Sequence, residues 1–452
     1  MKYLLTVLIS SLTFVLFAQE PNLKESIFKG HASGYFRSFY MSSHNKGELK
    51  DWYALAAGGL LKYETQTYKG FSVGAGFYHS SNLNITDVTE VDPTTGKASR
   101  YELGLFDVND PSRREISLLG ELYLSYTHSN HQLVLGRFKY KSPFLNPEDG
   151  RMIPTLLQGL HYTFKSTNKK LKAEGLWVSH IGARSTSRFM TTAASLGSYP
   201  VGLNPDGSKS LYSNNTASLG LGVASLNYKG DAFGVKFYNY FFENVYNSAF
   251  IEPSYTIKGK LTSVIKAQYL VQTKVNDGGN KDAQKAYFQD DMAQVWGLSY
   301  GLKTEQNWKF TANYNFVTKD GRYLFPREWG REFLFTFQKR ERLEGAANTQ
   351  AWMLEVNKVW NFKKKGAIDL SLGYGQYYRP DAKDFENNKY AFPANDQLRL
   401  DLFWFANTSK KGLSLELLFA YKRAIGETYD NPNFILHKVD MLNSNLIMNY
   451  KF

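Results

Sequence analysis

Arg137, Lys139 and Lys141 recur at every second position of the segment Leu133 to Lys141. Side chains of an extended chain alternate faces, so the three cations would share one face at steps of about 7 Å. Such a row could hand a carboxylate from one cation to the next, or stand as a solvated wall whose charges pair with nearby acids. Arg151 follows Glu148 and Asp149 and lies between Pro143 and Pro154, residues that stiffen a loop. If that loop faces the cationic row, the two acids oppose it and the field between them orients zwitterions. Otherwise Arg151 pins the loop to a wall. Arg37 and Arg399 take the inward parity of two other alternating segments, where Glu or Asp could hold them as structural partners. Arg340 and Arg342 repeat the spacing in a stretch that reads as an outer, solvated loop.

Catalytic residue types form no comparable constellation. The eight His do not combine with Ser and Asp at a recognisable spacing, and no His-Glu-x-x-His is present. Asp277 to Asp282 lacks the alternating ligands and closing Glu of a calcium loop. Gly220-Leu-Gly222 and Gly373-Tyr-Gly375 fall inside alternating strands, with no helix behind them to hold phosphate. Neither a cofactor nor a metal is expected. A hydrolase using a rim histidine such as His79 or His180 is the remaining enzymatic alternative.

Composition narrows the class further. The chain has no Cys, which excludes a disulfide framework and a lipid-anchored lipoprotein. Its net charge is +13, yet Lys and Arg are dispersed at strand spacing, without the basic helix or Cys/His fingers of a nucleic-acid module. Aromatic content is 16% while mean hydropathy is -0.41. Helical membrane proteins are far more apolar, whereas in a water-filled barrel half of each strand faces solvent.

The two ends agree with that class. Met1 and Lys2 precede an apolar stretch from Tyr3 to Phe17 and a small-residue cut point at Ala18, so residues 1–18 read as a Sec export signal and 19–452 as one mature domain. At the other end Leu446, Met448, Tyr450 and Phe452 alternate with Asn445, Asn449 and Lys451. That reads as a closing membrane strand presented to the barrel assembly machinery. Between them about eighteen alternating segments of about ten residues fit tilted membrane strands.

Their connections alternate between short turns, such as Lys69-Gly70 and Gly230-Asp231, and longer loops, such as 80 to 116, 142 to 156, 243 to 248 and 319 to 350. An all-β, antiparallel transmembrane β-barrel has this anatomy, and an even strand count puts both termini on the periplasmic side. Glu332 to Gln338 looks like an extra strand. An odd total would break closure, so the reading assigns it to a loop that folds inward. A cation facing lipid at mid-depth costs roughly 2–4 kcal/mol, which turns Arg137, Lys139 and Lys141 inward against Val134, Phe138 and Tyr140. The same argument turns Arg399 and Asp401 inward against Leu398, Leu400, Leu402 and Trp404. Trp177, Trp360, Trp404, Tyr126, Tyr140, Tyr162, Tyr421 and Tyr450 are then expected in the interfacial girdles.

Gly136-Arg-Phe-Lys-Tyr-Lys-Ser-Pro143, followed by Asp149-Gly-Arg-Met-Ile-Pro154 and Gln158-Gly159, resembles the third-loop region of the OprD family of outer-membrane porins. Gly34-Tyr-Phe-Arg-Ser-Phe-Tyr40, Trp329-Gly-Arg-Glu332, Arg340-Glu-Arg342 and Glu344-Gly345 support the resemblance over most of the mature chain. It implies eighteen strands, a third loop folded inward, and basic residues that guide carboxylate-bearing solutes. Gly150 and Met152 depart from the small polar residue and leucine expected around Arg151, which leaves the particular substrate open. The expected function is passive diffusion of small polar or anionic solutes across a Gram-negative outer membrane, by a monomer or homo-trimer in contact with outer-membrane lipid and not with nucleic acid. A barrel adhesin or surface scaffold with a plugged lumen is the alternative.

Overall fold

A computed structural model describes residues 22–147, 151–362, 366–407 and 411–452. The expected export signal, Glu148 and Asp149 lie outside these residues, as do parts of the turns expected near 363–366 and 410–412. The wall begins with β1 (His31–Asn45), β2 (Trp52–Glu64), β3 (Phe71–Asn82), β4 (Glu115–His128), β5 (His131–Phe138), β6 (Leu156–Lys165) and β7 (Leu171–Gly182). It continues, after the two-residue β8 (Met190–Thr191), with β9 (Leu221–Lys229), β10 (Phe233–Phe242), β11 (Tyr246–Ile257), β12 (Leu261–Lys274) and β13 (Met292–Thr304). β14 (Trp308–Val317), β15 (Thr349–Asn361), β16 (Ala367–Tyr378), β17 (Asn395–Phe405), β18 (Gly412–Ala424) and β19 (Met441–Lys451) complete it.

Every pairing is antiparallel, and β19 returns to β1 with Tyr35 opposite Lys451 and Asn45 opposite Met441. β7 pairs with β9 from Leu171 to Val178, while β8 only extends the far end of β7. Eighteen strands therefore form the closed wall. Closure removes the exposed edges that an open sheet would present. Among the described residues no helix is long and apolar enough to cross a membrane.

Alternation in β17 shows why the chain rolls this way. Leu398 is 45% exposed on the outer face, whereas Arg399 and Asp401 are 8% and 5% exposed inside. The turns supply the direction changes: Lys69 and Gly70 both take positive φ, 49° and 87°, between the bridged residues Tyr68 and Phe71. Two such residues make the tight hairpin whose twist matches the strands.

A wall of this size cannot be filled by its own side chains. The described parts of the loop after β5, 139–147 and 151–155, and the segment 318–348 fill part of it, and their Phe144, Leu145, Phe325, Trp329 and Leu334 pack with inward residues such as Tyr240, Phe242 and Phe250. The two segments hold each other. Asn146 N–H donates to the Trp329 carbonyl at 3.1 Å, Asn146 Nδ2 to the Arg331 carbonyl at 2.9 Å, and Thr155 Oγ1 to the Glu328 carbonyl at 2.9 Å. Glu332 to Gln338 forms no wall strand.

Three local expectations are corrected. The connection expected near 243 to 248 is only Glu243 to Val245, because β10 and β11 run to Phe242 and Tyr246. Tyr140 is 4% exposed against His161 inside the barrel, so it belongs to no girdle. The faces of β5 are inverted as well: Leu133 and Leu135 are 40% and 57% exposed outside, while Phe138 is 4% exposed inside. β5 ends at Phe138 and the chain leaves the wall there, so parity carried on to Lys141 had no strand to act on.

Candidate functional site: an arginine-lined constriction

The inward loops converge on a cavity of about 80 Å³ lined by Arg100, Arg151, Arg184, Arg327, Arg331, Arg340, Arg342, Arg379 and Lys339, with Glu341 and Glu344 as the acids among the described residues. Arg340 is far from a solvated outer loop. Its Nε donates to Asn443 Oδ1 at 2.7 Å and its Nη2 to Asn445 Oδ1 at 2.9 Å, which anchors it on β19. Arg151 is 7% exposed and its carbonyl accepts from Arg37 Nη1 at 2.6 Å, so the inward Arg37 braces the loop arginine. Arg37 Nε also donates to Asn449 Oδ1 at 2.7 Å.

Both lining carboxylates are already engaged. Arg327 Nε meets Glu344 Oε2 at 2.5 Å, and the Arg327 guanidinium lies 3.6 Å from the Tyr390 ring centre. Glu341 takes Arg379 and, at 2.6 Å, Lys422. Lys339 is spent on Asp401 at 2.7 Å and Glu416 at 2.6 Å. Among the described residues no carboxylate lies within ion-pair distance of Arg100 or Arg342. Burial, with Arg327 and Arg184 alongside, lowers the pKa of Arg342, and burial holds Arg100 down at about 10 despite Tyr101. These like charges held together favour an incoming anion.

Below the constriction a second cavity of about 690 Å³ includes Lys266, Lys303, Lys309 and Arg399. Arg331, Phe337 and Lys339 line both cavities and so mark the passage between them. The Arg331 guanidinium stands 5.5 Å from Phe333 and 5.6 Å from Phe337, an apolar and cationic pair in one place. Arg399 is paired with Glu355 on the wall.

The expected cationic row is not assembled. Arg137 is opposite Leu122 and Gln158 and shares the outer parity of Leu133 and Leu135. Its charge is met by Gln158 Oε1 at 3.0 Å, the Leu119 carbonyl at 3.3 Å and the Phe189 ring at 4.4 Å. Lys139, beyond the strand end, reaches inward to Glu121 at 3.3 Å, and Lys141 is exposed on the same departing segment. Arg100, Arg184, Arg327 and Arg379 went unnoticed in the sequence, and Arg331 was marked only as part of the Trp329-Gly-Arg-Glu332 motif. All five come from connections without periodicity. Of the rim histidines, His79 contacts Ser117 Oγ at 3.0 Å and Ser81 Oγ at 2.7 Å on the outer parity of Phe77.

The closed wall and the inward loops define a barrel with the fold of OprD/Occ-type porins. OccK8 (OprE) of Pseudomonas aeruginosa is similar over 94% of this chain and 99% of its own, with TM-score 0.68 and 15% identity. The outer membrane protein OpdK of the same organism has TM-score 0.69 and 12% identity, with 94% and 99% covered, and has also been solved with vanillate. OccAB4 of Acinetobacter baumannii has TM-score 0.67 and 14% identity, with 93% and 97% covered. No protein-family model and no curated protein matches the sequence.

Proposed function

We propose that this chain is an outer-membrane porin through which small polar solutes diffuse passively, with preference for those bearing a carboxylate. The observation that carries the preference is the cavity in which, among the described residues, eight arginines and Lys339 face two engaged carboxylates. An anion entering it leaves water but meets several preorganised donors, which lowers its barrier relative to a cation. Phe333 and Phe337 beside Arg331 suit a carboxylate carried on a ring, and vanillate, seen in the structure of OpdK, is such a molecule. Both termini and the short turns then face the periplasm, and the strand ending at Phe452 is the element offered to the assembly machinery.

Single-channel recording in planar bilayers tests the proposal. Ohmic steps with an anion-selective reversal potential are expected, and Arg100→Glu with Arg342→Glu should move that potential toward cations. The narrowness of the constriction, about 80 Å³, favours a second reading in which the lumen is plugged and the long loops bind a partner. Absence of conductance together with loop-dependent cell binding is the result that selects it.

A further inference from the structure

Arginine is absent from the short-turn end of the barrel, where the basic residues are lysines. None of the 16 arginines lies in or beside a short turn. Lysines occupy those turns repeatedly: Lys69 between β2 and β3, Lys169 and Lys170 between β6 and β7, and Lys258 and Lys260 between β11 and β12. Few acids answer them. Lys170 meets Asp231 at 3.2 Å, while Lys69, Lys169, Lys258 and Lys260 are exposed without an ion-pair partner among the described residues. Lys363 to Lys365 and Lys410 lie outside the described residues and are not counted.

These charges sit beside an aromatic belt. Lys358 Nζ is 5.0 Å from the Trp308 ring and 5.8 Å from that of Trp360, whose residues are 38% and 37% exposed on the outer wall. Lys69 lies 5.5 Å from the Tyr68 ring. A long lysine stem running past an interfacial ring places its ammonium at headgroup level. The N-terminal helix α1 (Leu23–Phe28) lies at the same rim, fixed where the Tyr63 hydroxyl donates to the Ile27 carbonyl and accepts from Gly30 N–H at 3.0 Å. Tyr63 belongs to the outer face, opposite Ala75 and Ala32. Leu23, Ile27 and Phe28 are 56%, 45% and 75% exposed there, which water would disfavour and a bilayer interface would not.

We propose that the short-turn rim, with its lysines and helix α1, is a binding surface for anionic phospholipid headgroups of the leaflet that surrounds it. This rests on the outer-membrane reading above. Phosphodiester monoanions are the matching chemistry: several mobile ammonium groups spaced around a circumference suit laterally mobile headgroups, where a rigid arginine fork would select one fixed geometry. The same residues leave the constriction untouched, so lipid binding and conduction are separable.

The purified protein is reconstituted in nanodiscs of phosphatidylethanolamine with a quarter phosphatidylglycerol, and retained lipid is read by native mass spectrometry. Wild type should hold phosphatidylglycerol well above its bulk share. K169Q/K170Q/K258Q/K260Q should lower that enrichment by about threefold or more while leaving single-channel conductance unchanged. Should the quadruple variant fail to fold, the enrichment of the wild type should disappear in about 1 M salt, where the screening length is about 3 Å. Retention at the bulk ratio, or an enrichment insensitive to both salt and substitution, overturns the proposal. Lysine-dependent sedimentation with peptidoglycan without lipid enrichment overturns it too, by moving the partner to the cell-wall polymer. A protein that conducts but shows no enrichment refutes only this inference, whereas one that never inserts refutes the porin reading.

Discussion

Replacing Glu341 by Gln should loosen the inner loop from the wall. Glu341 is 3% exposed and binds Arg379 after β16, Asn395 Nδ2 of β17 at 3.0 Å, and Lys422 Nζ of β18 at 2.6 Å. Burial alone would raise its carboxyl, but Arg379 and Lys422 outweigh burial and hold the pKa down at about 2. Measured from an ordinary value near 4.5, that displacement corresponds to roughly 3 kcal/mol at neutral pH. Loss of one partner from a buried ion pair costs about 3–5 kcal/mol, an independent argument of the same size. Because the folded pKa is depressed, this stability is present above about pH 4.5 and is lost as pH falls toward 2. Urea unfolding of vesicle-reconstituted protein, followed by tryptophan fluorescence, should therefore show E341Q less stable by roughly 3 kcal/mol at pH 7. The gap should close on acidification. A gap under about 1 kcal/mol at pH 7, or one that persists unchanged at pH 2, refutes the reasoning.

Other outcomes follow from the same geometry. Burial pushes the Glu332 carboxyl up to about 7, against the pull of Arg342 beside it, so its ionisation adds negative charge near the constriction as pH rises. Anion selectivity should fall between pH 6 and pH 8, and reversal potentials of E332Q should lose that step. A raised carboxyl also contributes stability that is full below its ordinary value near 4.5 and is lost as pH rises through about 7, so E332Q should flatten the unfolding midpoint between about pH 4.5 and pH 7. Trp329 is fully buried and donates from Nε1 to Ser195 Oγ at 2.9 Å; Trp329→Ala should cost about 3–5 kcal/mol in the same urea assay. Arg137 stands on the outer parity, so R137E should shift the reversal potential far less than R342E.

The wall was legible in the sequence because its rule is local. Period-two alternation in segments such as Leu398 to Trp404, and turn residues such as Lys69-Gly70, declare strand and hairpin without any knowledge of distant partners. The constriction was legible only in part. Arg151, Arg340 and Arg342 were marked, but Arg100, Arg184, Arg327 and Arg379 come from four connections that meet only after the barrel has closed. No spacing along the chain encodes such a meeting. The error at β5 has a different cause: an energetic argument applied to Arg137, Lys139 and Lys141 together assumed one continuous strand. Gly136, at φ 125° and with room for no Cβ beside the Leu122 carbonyl, stands two residues before the chain leaves the wall. Arg137 is accommodated there by Gln158 and Phe189 instead of by the lumen.

The most direct measurement is the zero-current potential of the single channel across a potassium chloride gradient. Chloride should permeate in preference to potassium, and Arg100→Glu with Arg342→Glu should reverse that preference at little cost to conductance. A channel that favours potassium in the wild type, or a bilayer that stays silent with correctly folded protein, contradicts the account.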